Sequence, residues 1–311
     1  SNLMLSDHSD LTVIEADEYD RSFHYLSPYF AVVTSADPDH LDIYGTAESY
    51  RESFEKFTSL IRPGGLLLIK RGIAVTPRLQ DGVRLATYSL TDFASDYYAA
   101  NIRVGNGEIY FDFCSPSGCI LDIQSGVPVR INVENAVAAI AIAQLCGVEE
   151  DEIRQAMPTF GGAERRFDFQ IKTDKVVYID DYAHHPQELE SSIRSVRELY
   201  AGRRLTGVFQ PHLYSRTRDF ADGFARALSL LDRLILLDIY PAREEPVPGI
   251  TSELILAKAT LADKTLCRKD ELLSLLDGED IDVLMTLGAG DIDRFVEPVR
   301  NLLNSKLAPS C

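Results

Sequence analysis

The regular alternation of short apolar runs with helical patterns constrains this chain more than any other feature. The apolar runs are rich in Val, Ile and Leu, and the segments between them repeat apolar residues every three or four positions. One such segment contains Tyr50, Phe54, Phe57 and Ile61. This alternation is typical of an α/β fold with a largely parallel sheet, so the sequence predicts that fold class.

Two stretches of this alternation indicate two domains, as does the length of 311 residues. The first, residues 1–160, contains predicted strands at 11–14, 30–34 and 66–69, and short alternating runs between 85 and 129 that predict a small antiparallel patch. The second, residues 161–311, contains predicted strands at 176–179, 205–209, 234–237, 265–268 and 283–287. Five strands interleaved with helices predict a doubly wound, Rossmann-like domain.

The charge balance and the cysteines limit the class of protein. Acidic residues outnumber basic ones by 48 to 31, a formal charge of −17, which argues against nucleic-acid partners and predicts that arginines or a metal ion hold any anionic ligand. No segment approaches the ~18 consecutive apolar residues of a membrane span, and the first ten residues lack a secretory pattern. The five cysteines are scattered and odd in number, which predicts free thiols. These features predict a cytoplasmic protein without membrane association.

Two acidic clusters follow predicted strands of the first domain. VIEADEYD contains Glu15, and DPDHLD contains Asp37, Asp39, His40 and Asp42. Ligands of open α/β sheets collect beyond the carboxyl ends of the strands, so Glu15 and His40 would share one crevice if the two strands are neighbours. A carboxylate and an imidazole, with water and phosphate oxygens in the other positions, suit Mg²⁺ or Mn²⁺. The alternative is that both clusters are solvated loop and helix-cap residues.

Three later segments combine arginine, histidine and aspartate. GGAERRFD contains Arg166, whose planar guanidinium suits phosphate or carboxylate, although the segment could equally be an exposed hinge. YIDDYAHHP contains Asp181, suited to a ribose hydroxyl or to orienting a base, and His184, suited to contacting a substrate. FQPHLYSRTRDF contains His212 and Arg216, which suit a carboxylate at a helix N-terminus. The alternative for the last two segments is a polar turn or helix cap.

These motifs together resemble a known family, although the sequence contains no GxxxxGK[ST] phosphate loop, no GxGxxG motif in a strand-to-helix context and no GxSxG motif. In order, VIEADEYDRSFHYLSP, DPDHLDIYG, GAERRFD, YIDDYAHHP and FQPHLYSRTRD resemble the Mur ligases, the ATP-dependent amide-forming enzymes of peptidoglycan assembly. The resemblance covers essentially all of the chain. It implies that residues 1–160 belong to the central ATP-binding domain and residues 161–311 form the C-terminal Rossmann-like ligase domain. It also implies that the uridine-binding domain and the GxxGKT loop are missing, so we expect a fragment that is inactive alone.

The resemblance assigns roles to particular residues. It implies that Glu15 and His40 bind Mg²⁺, that Asn132, Asn135 and Arg166 line the nucleotide site, and that Asp181 holds the ATP ribose. It implies that His184, His212 and Arg216 face the amino-acid substrate. Two positions depart from the family pattern: Ile131 stands where a His often precedes the first asparagine, and Leu213 stands where some members have Arg.

The motifs also imply a reaction. Their residues most closely resemble those of the branch that adds L-alanine to UDP-N-acetylmuramate through an acyl phosphate, with ATP and Mg²⁺ as cofactors. The muropeptide-recycling branch, which accepts a preformed tripeptide, shares the general pattern and is expected to differ at QPHLYSRT. A non-catalytic nucleotide-binding module is the alternative from another class. The sequence leaves the oligomeric state open.

Overall fold

The computed structural model describes residues 10–38 and 40–307, without the side chains of residues 41 and 42. Asp39, the side chain of Asp42 and Cys311 therefore lie outside the described residues. In this part of the chain the strands form two six-stranded sheets. None of its helices is long and apolar enough to cross a membrane.

The first sheet has the strand order β1-β2-β3-β4-β5-β6. Its strands are β1 (Phe30–Val33), β2 (Leu66–Lys70), β3 (Arg84–Ser89), β4 (Tyr97–Gly105), β5 (Glu108–Ser115) and β6 (Gly118–Gln124). The helices of this part are α1 (Leu41–Tyr44), α2 (Ala47–Thr58), α3 (Arg130–Leu145) and α4 (Glu150–Ala156). Strands β1 to β4 pair in parallel. Only two residues, Asn106 and Gly107, separate β4 from β5, and both have positive φ, which fits a tight antiparallel hairpin.

The second sheet has the order β11-β10-β9-β12-β8-β7. Its strands are β7 (Asp168–Lys172), β8 (Val177–Asp181), β9 (Leu205–Phe209), β10 (Arg233–Leu237), β11 (Asp263–Cys267) and β12 (Val283–Leu287). Its helices are α5 (Pro186–Leu199), α6 (Tyr214–Leu228), α7 (Glu253–Lys258), α8 (Leu272–Asp277) and α9 (Val296–Leu307). Neighbouring strands pair in parallel except β7 with β8. β12 lies between β8 and β9, so the segments after these three strands meet at one edge of the sheet.

Helices cover both faces of the second sheet, as the doubly wound prediction requires. Helices α5, α6 and α7 pack side by side, whereas α8 and α9 pack together elsewhere. Tyr178, Val208 and Leu284 of the central strands are buried in one apolar cluster with Leu276 of α8 and Val299 of α9. Burial on both faces explains why these strands read as continuous apolar runs in the sequence.

The contacts divide the chain into two compact units. The first comprises the residues up to 100 with 113–119 and 134–148, and the second comprises 101–112, 120–133 and the residues from 149 onward. In the first unit, Phe23, Val33, Phe57, Ile61 and Leu67 form part of an apolar core between the 3₁₀ turn at Ser22–Tyr25, α2 and the parallel strands. The domain boundary near residue 160 stays a prediction.

Three structural predictions were wrong. The predicted strand at 11–14 has no regular structure, and Leu11, Val13 and Ile14 are exposed, so the segment does not gain the burial that favours an apolar strand. Strand β3, expected within the antiparallel patch, is parallel to both neighbours. The second sheet has a sixth strand, β7, whose partly exposed and partly polar sequence DFQIK gives little strand signal.

The prediction of free thiols was also wrong for two cysteines. Cys114 near the end of β5 and Cys119 in β6 form a disulfide, with their Cα atoms 4.1 Å apart. The spacing of five residues shows no recognised motif, and only the hairpin register brings the two side chains together. Cys146 and Cys267 are free.

Candidate functional site

A cavity of about 380 Å³ in the second unit brings together side chains from separate motifs. It lies beside the carboxyl end of β8, the N-terminal turn of α3 and helix α5. Its lining includes Asn132, Phe160, Gly162, Arg166, Asp181 and Ser192. Three of the four residues expected to line a nucleotide site therefore share this cavity, which we call the nucleotide cavity. The fourth, Asn135, is exposed one turn further along α3 and is not part of this lining.

Asp181 is the buried carboxylate of the nucleotide cavity. Its Oδ2 accepts a hydrogen bond of 2.5 Å from Ser192 Oγ, and its Oδ1 accepts one of 3.2 Å from the backbone N–H of Ala183. Burial raises the pKa of Asp181 and outweighs the opposing effect of these two donors. A carboxylate offers about four acceptor positions, so Asp181 keeps acceptor capacity for a hydroxyl-bearing ligand.

Arg165 and Arg166 have different surroundings. Arg165 Nε donates to Asp180 Oδ2 at 3.0 Å, and its Nη2 donates to the carbonyl of Gly288 at 2.7 Å. Arg165 thus neutralises the fully buried Asp180 and connects the segment GGAERRFD to the end of β12. Arg166 instead lines the nucleotide cavity, with its guanidinium carbon 5.5 Å from the centroid of the Tyr182 ring. These contacts hold the segment in place, so it is not simply an exposed hinge.

The backbone of the segment GGAERRFD is strained on both sides of Arg166. Arg165 has φ 59° and Phe167 has φ 51°, in the left-handed region that residues with a Cβ rarely adopt. The N–H of Tyr182 donates to the carbonyl of Arg165 at 2.7 Å, which fixes this conformation against the end of β8. Such strain is frequent at ligand-binding sites, where it orients a particular side chain.

A second group of side chains, which we call the histidine–arginine cluster, contains His184, His212, Arg216 and Tyr240. The ring centroids of His184 and His212 are 6.2 Å apart, and the Tyr240 ring stacks on His212 at 5.7 Å with an interplanar angle of 25°. The structure therefore brings together His184 and His212 in the segments that end β8 and β9, with Arg216 in the first turn of α6. Nδ1 of His212 and Nη1 of Arg216 are buried without a hydrogen-bond partner.

The local backbone explains how this cluster is held. Leu213 has φ 72°, and its carbonyl accepts the N–H and Oγ1–H of Thr217, so it begins α6 in a strained conformation. Its own N–H donates to the carbonyl of Tyr240 at 2.9 Å. Glu244 accepts the N–H of Ser215 at 3.0 Å and also its hydroxyl. At the position where some family members have Arg, Leu213 thus contributes through its backbone conformation and backbone hydrogen bonds.

Sequence reasoning missed Tyr240 and Glu244. Both belong to the segment YPAREE, which follows β10 at the same edge of the sheet as His184 and His212. The rule that ligands gather beyond the carboxyl ends of parallel strands could have found this segment. It carries no recognised motif, and its contact with His212 depends on the strand order, which the sequence does not show.

The predicted metal ligands lie in the first unit. Glu15 is exposed, and His40 is partly buried with φ 52°. Among the described residues, Glu18 places its Oε1 3.8 Å from His40 Nε2, and the Tyr19 ring meets the imidazole edge-on at 4.9 Å. Glu18 also lines a cavity of about 410 Å³ with Thr34, Ser35 and Asp37.

Among the described residues no group of three or more His, Cys, Asp or Glu side chains has the arrangement of a metal site. One imidazole and one carboxylate still fit a magnesium ion, which usually keeps several waters and takes one or two protein carboxylates. The pairing of Glu15 with His40 stays a prediction, and the observed neighbour of His40 adds Glu18 as a candidate.

Protein families and individual proteins match nearly all of this chain. Residues 1–143 match the model of the Mur ligase middle domain, and residues 165–290 match that of the Mur ligase glutamate ligase domain. The chain is 66% identical over 303 residues to the UDP-N-acetylmuramate–L-alanine ligase of Parabacteroides distasonis, covering 97% of this chain and 65% of that protein. It is 59% identical to the ligase of the same name from Phocaeicola vulgatus, covering 98% of this chain and 67% of that protein.

The chain belongs to the Mur ligase family. It spans about two thirds of the length of these curated relatives. The crystal structure of UDP-N-acetylmuramate–alanine ligase from Thermotoga maritima shares its fold, with a TM-score of 0.76 and 24% identity over 94% of this chain and 63% of that one. The α/β prediction is confirmed: the chain carries Mur ligase middle and C-terminal domains, with mostly parallel sheets and a small antiparallel patch.

Proposed function

We propose that this chain is the nucleotide-binding and amino-acid-binding part of a ligase that joins L-alanine to UDP-N-acetylmuramate. The single observation that carries the proposal is the nucleotide cavity, where Asn132, Arg166 and Asp181 converge from three separate segments. The similarity to relatives of that name over 97% of this chain supports the choice of substrates.

The charges in the nucleotide cavity suit the parts of ATP. Asp181 has acceptor capacity beyond its two internal donors and would accept hydrogen bonds from the ribose hydroxyls. Arg166 would meet phosphate oxygens, which a guanidinium recognises in a planar, bidentate manner. Phe160 supplies apolar surface for the base. An acidic chain needs such local cations to hold a nucleotide.

Phosphoryl transfer depends mainly on positioning and on charge neutralisation, so no protein nucleophile is required. The muramic carboxylate attacks the γ-phosphorus of ATP, which gives an acyl phosphate and releases ADP. The amine of L-alanine then attacks the acyl carbon, which forms the amide bond and releases phosphate. Mg²⁺, when bound, neutralises the phosphate oxygens. Glu15 and His40 would hold it, with Glu18 as an additional donor.

The histidine–arginine cluster suits the amino-acid substrate. Arg216 has a buried Nη1 without a hydrogen-bond partner and would bind the α-carboxylate, and the rings of His184 and His212 lie beside each other in the same cluster. Leu213 cannot contribute a charge there, so Arg216 carries that role in this chain.

A phosphate-release assay with the full-length gene product tests the proposal. The assay supplies ATP, Mg²⁺ and UDP-N-acetylmuramate, and compares L-alanine with a preformed tripeptide. We expect release that requires L-alanine and is lost in Arg166→Ala and Asp181→Ala. A preference for the tripeptide would establish the muropeptide-recycling alternative, and nucleotide binding without turnover would establish a binding module.

Two further parts of the proposal need their own tests. The 311 residues contain no GxxGKT loop to surround the ATP phosphates, so we expect this chain alone to turn over little or no substrate. The same phosphate-release assay on the isolated chain checks this, and full turnover would contradict it. The cytoplasmic location stays a prediction.

A further inference from the structure

The two unpaired polar atoms of the histidine–arginine cluster differ in hydrogen-bond character. Nη1 of Arg216 can only donate, whereas a neutral imidazole can accept through one of its nitrogens. A buried polar atom without a partner destabilises the site, so a ligand that pairs both atoms gains affinity. An α-amino acid carries a carboxylate and an ammonium group on one carbon, and it therefore matches both atoms at once.

We propose that His212 is the general base that removes a proton from the α-ammonium group of the incoming amino acid through Nδ1, and that Tyr240 is the positioning residue for its ring. This inference rests on the proposed ligase function and adds to it, because that function requires an amine but does not say what deprotonates it. An ammonium group has no lone pair, so it cannot attack an acyl phosphate until a base has taken one proton.

The surroundings of His212 keep the imidazole neutral. Burial lowers its pKa, and the positive charge of Arg216 and the neighbouring His184 lower it further, while Glu244 on the segment after β10 acts in the opposite direction. Because the pKa lies below its usual range, the ring is unprotonated near pH 7 and is able to accept a proton. Protonation by the substrate is then paired with attack, after which solvent can take the proton away.

Several contacts fix the direction of the ring. Tyr240 stacks on His212, and the two residues form an isolated parallel β-bridge. The N–H of Tyr240 donates to the carbonyl of Pro211 at 2.8 Å, and the N–H of Leu213 donates to the carbonyl of Tyr240 at 2.9 Å. Gly290 packs against Tyr240 from the next segment, where an added Cβ would lie 2.7 Å from the Tyr240 Cβ. These contacts hold the His212 ring on several sides and so fix the direction in which Nδ1 points.

The proposed step balances as follows. His212 takes one proton from the α-ammonium group, which leaves a neutral amine. The amine lone pair forms the C–N bond at the acyl carbon. The bond between the acyl carbon and the bridging oxygen breaks, and its electron pair leaves with the phosphate. The nitrogen loses a second proton to phosphate or solvent as the amide forms.

The test uses His212→Asn in the full-length gene product, because asparagine keeps a hydrogen-bond acceptor near the Nδ1 position but cannot take a proton. His185→Asn is the matched control, since His185 begins α5 as its N-cap and asparagine is a favoured N-cap residue. Each protein is assayed with ATP, Mg²⁺ and UDP-N-acetylmuramate, and with either L-alanine or hydroxylamine. Hydroxylamine is largely neutral near pH 7 and needs no base to attack an acyl phosphate.

We expect His212→Asn to lose about 10²- to 10⁴-fold in L-alanine addition at pH 7 while hydroxamate formation stays nearly unchanged. Its residual L-alanine rate should rise about tenfold per pH unit with the fraction of free amine. The control should behave like the wild type in both reactions. Tyr240→Ala, but not Tyr240→Phe, should move the acidic limb of the wild-type pH profile.

Two results would overturn the inference alone: equal losses with both amines in His212→Asn, or an unchanged L-alanine rate and pH profile in that variant. A wild-type protein that forms neither product would overturn the proposed function, and the inference with it. The two failures are therefore distinguishable.

Discussion

Replacement of Asp181 by asparagine separates ligand binding from folding in the nucleotide cavity. Ser192 and Ala183 occupy two of roughly four acceptor positions of the carboxylate, which leaves about two for ribose hydroxyls. Hydrogen bonds to a charged acceptor contribute about 1.5–3 kcal/mol, against about 0.5–1.5 kcal/mol for a neutral one. The loss of charge should therefore weaken ADP binding by about 1–3 kcal/mol, or roughly 5- to 150-fold in Kd.

Stability should change little in the same variant. Burial raises the pKa of Asp181, so the folded protein holds the charged form at a cost that asparagine removes. This gain offsets the weaker bond from Ser192, and we expect a net change within about 1 kcal/mol. Urea unfolding measures this quantity, and isothermal titration calorimetry with ADP measures affinity in the full-length gene product.

A nucleotide lacking both ribose hydroxyls sharpens the test. The wild type should bind 2′,3′-dideoxy-ADP more weakly than ADP by a similar factor, whereas Asp181→Asn should hardly distinguish the two. Asp222→Asn is the control, because Asp222 is exposed and makes only a surface ion pair with Lys258 at 2.6 Å. Equal ADP affinity in wild type and Asp181→Asn would refute the assignment of Asp181 to the ribose.

Three further predictions concern stability. Gly290→Ala should destabilise the fold by about 1–3 kcal/mol, because its Cβ would lie 2.7 Å from the Cβ of Tyr240. Gly105→Ala, with open space around the added Cβ, should not, and urea unfolding compares the two variants. Because the pKa of His212 is lowered in the folded state, the unfolded chain binds more protons from about pH 6.5 down to the folded pKa, and stability should fall as the pH drops across that range. His212→Asn should reduce this fall, and an identical pH dependence of unfolding would contradict it. Reduction of the Cys114–Cys119 disulfide should lower stability by up to about 2 kcal/mol in the chain-entropy model for so short a loop, and a Cys114→Ser/Cys119→Ser variant whose melting temperature still responded to reductant would count against it.

The sequence predicted the parts of the fold that depend on local pattern. Strands such as β9 and β12 are buried on both faces, so they appear as continuous apolar runs, and the helices between them repeat apolar residues with helical spacing. The segment 11–14 has the same composition as a buried strand, but Leu11, Val13 and Ile14 are exposed. Composition alone does not show whether an apolar segment is buried.

The sequence singled out candidate site residues where a motif carried the chemistry, and it missed residues whose contacts only the fold creates. His184, His212 and Arg216 were singled out from their segments, and the strand order brings them together. Tyr240 has no motif and reaches His212 only because β10 lies beside β9. The disulfide likewise depends on the register of β5 and β6, which neither cysteine reveals in the sequence.

Transfer of oxygen from the muramic carboxylate to phosphate tests the central claim most directly. UDP-N-acetylmuramate labelled with ¹⁸O in that carboxylate is incubated with ATP, Mg²⁺, L-alanine and the full-length gene product, and the released phosphate is analysed by mass spectrometry. An acyl phosphate route predicts one ¹⁸O atom in each phosphate formed, with release dependent on L-alanine. Phosphate without ¹⁸O would contradict the account.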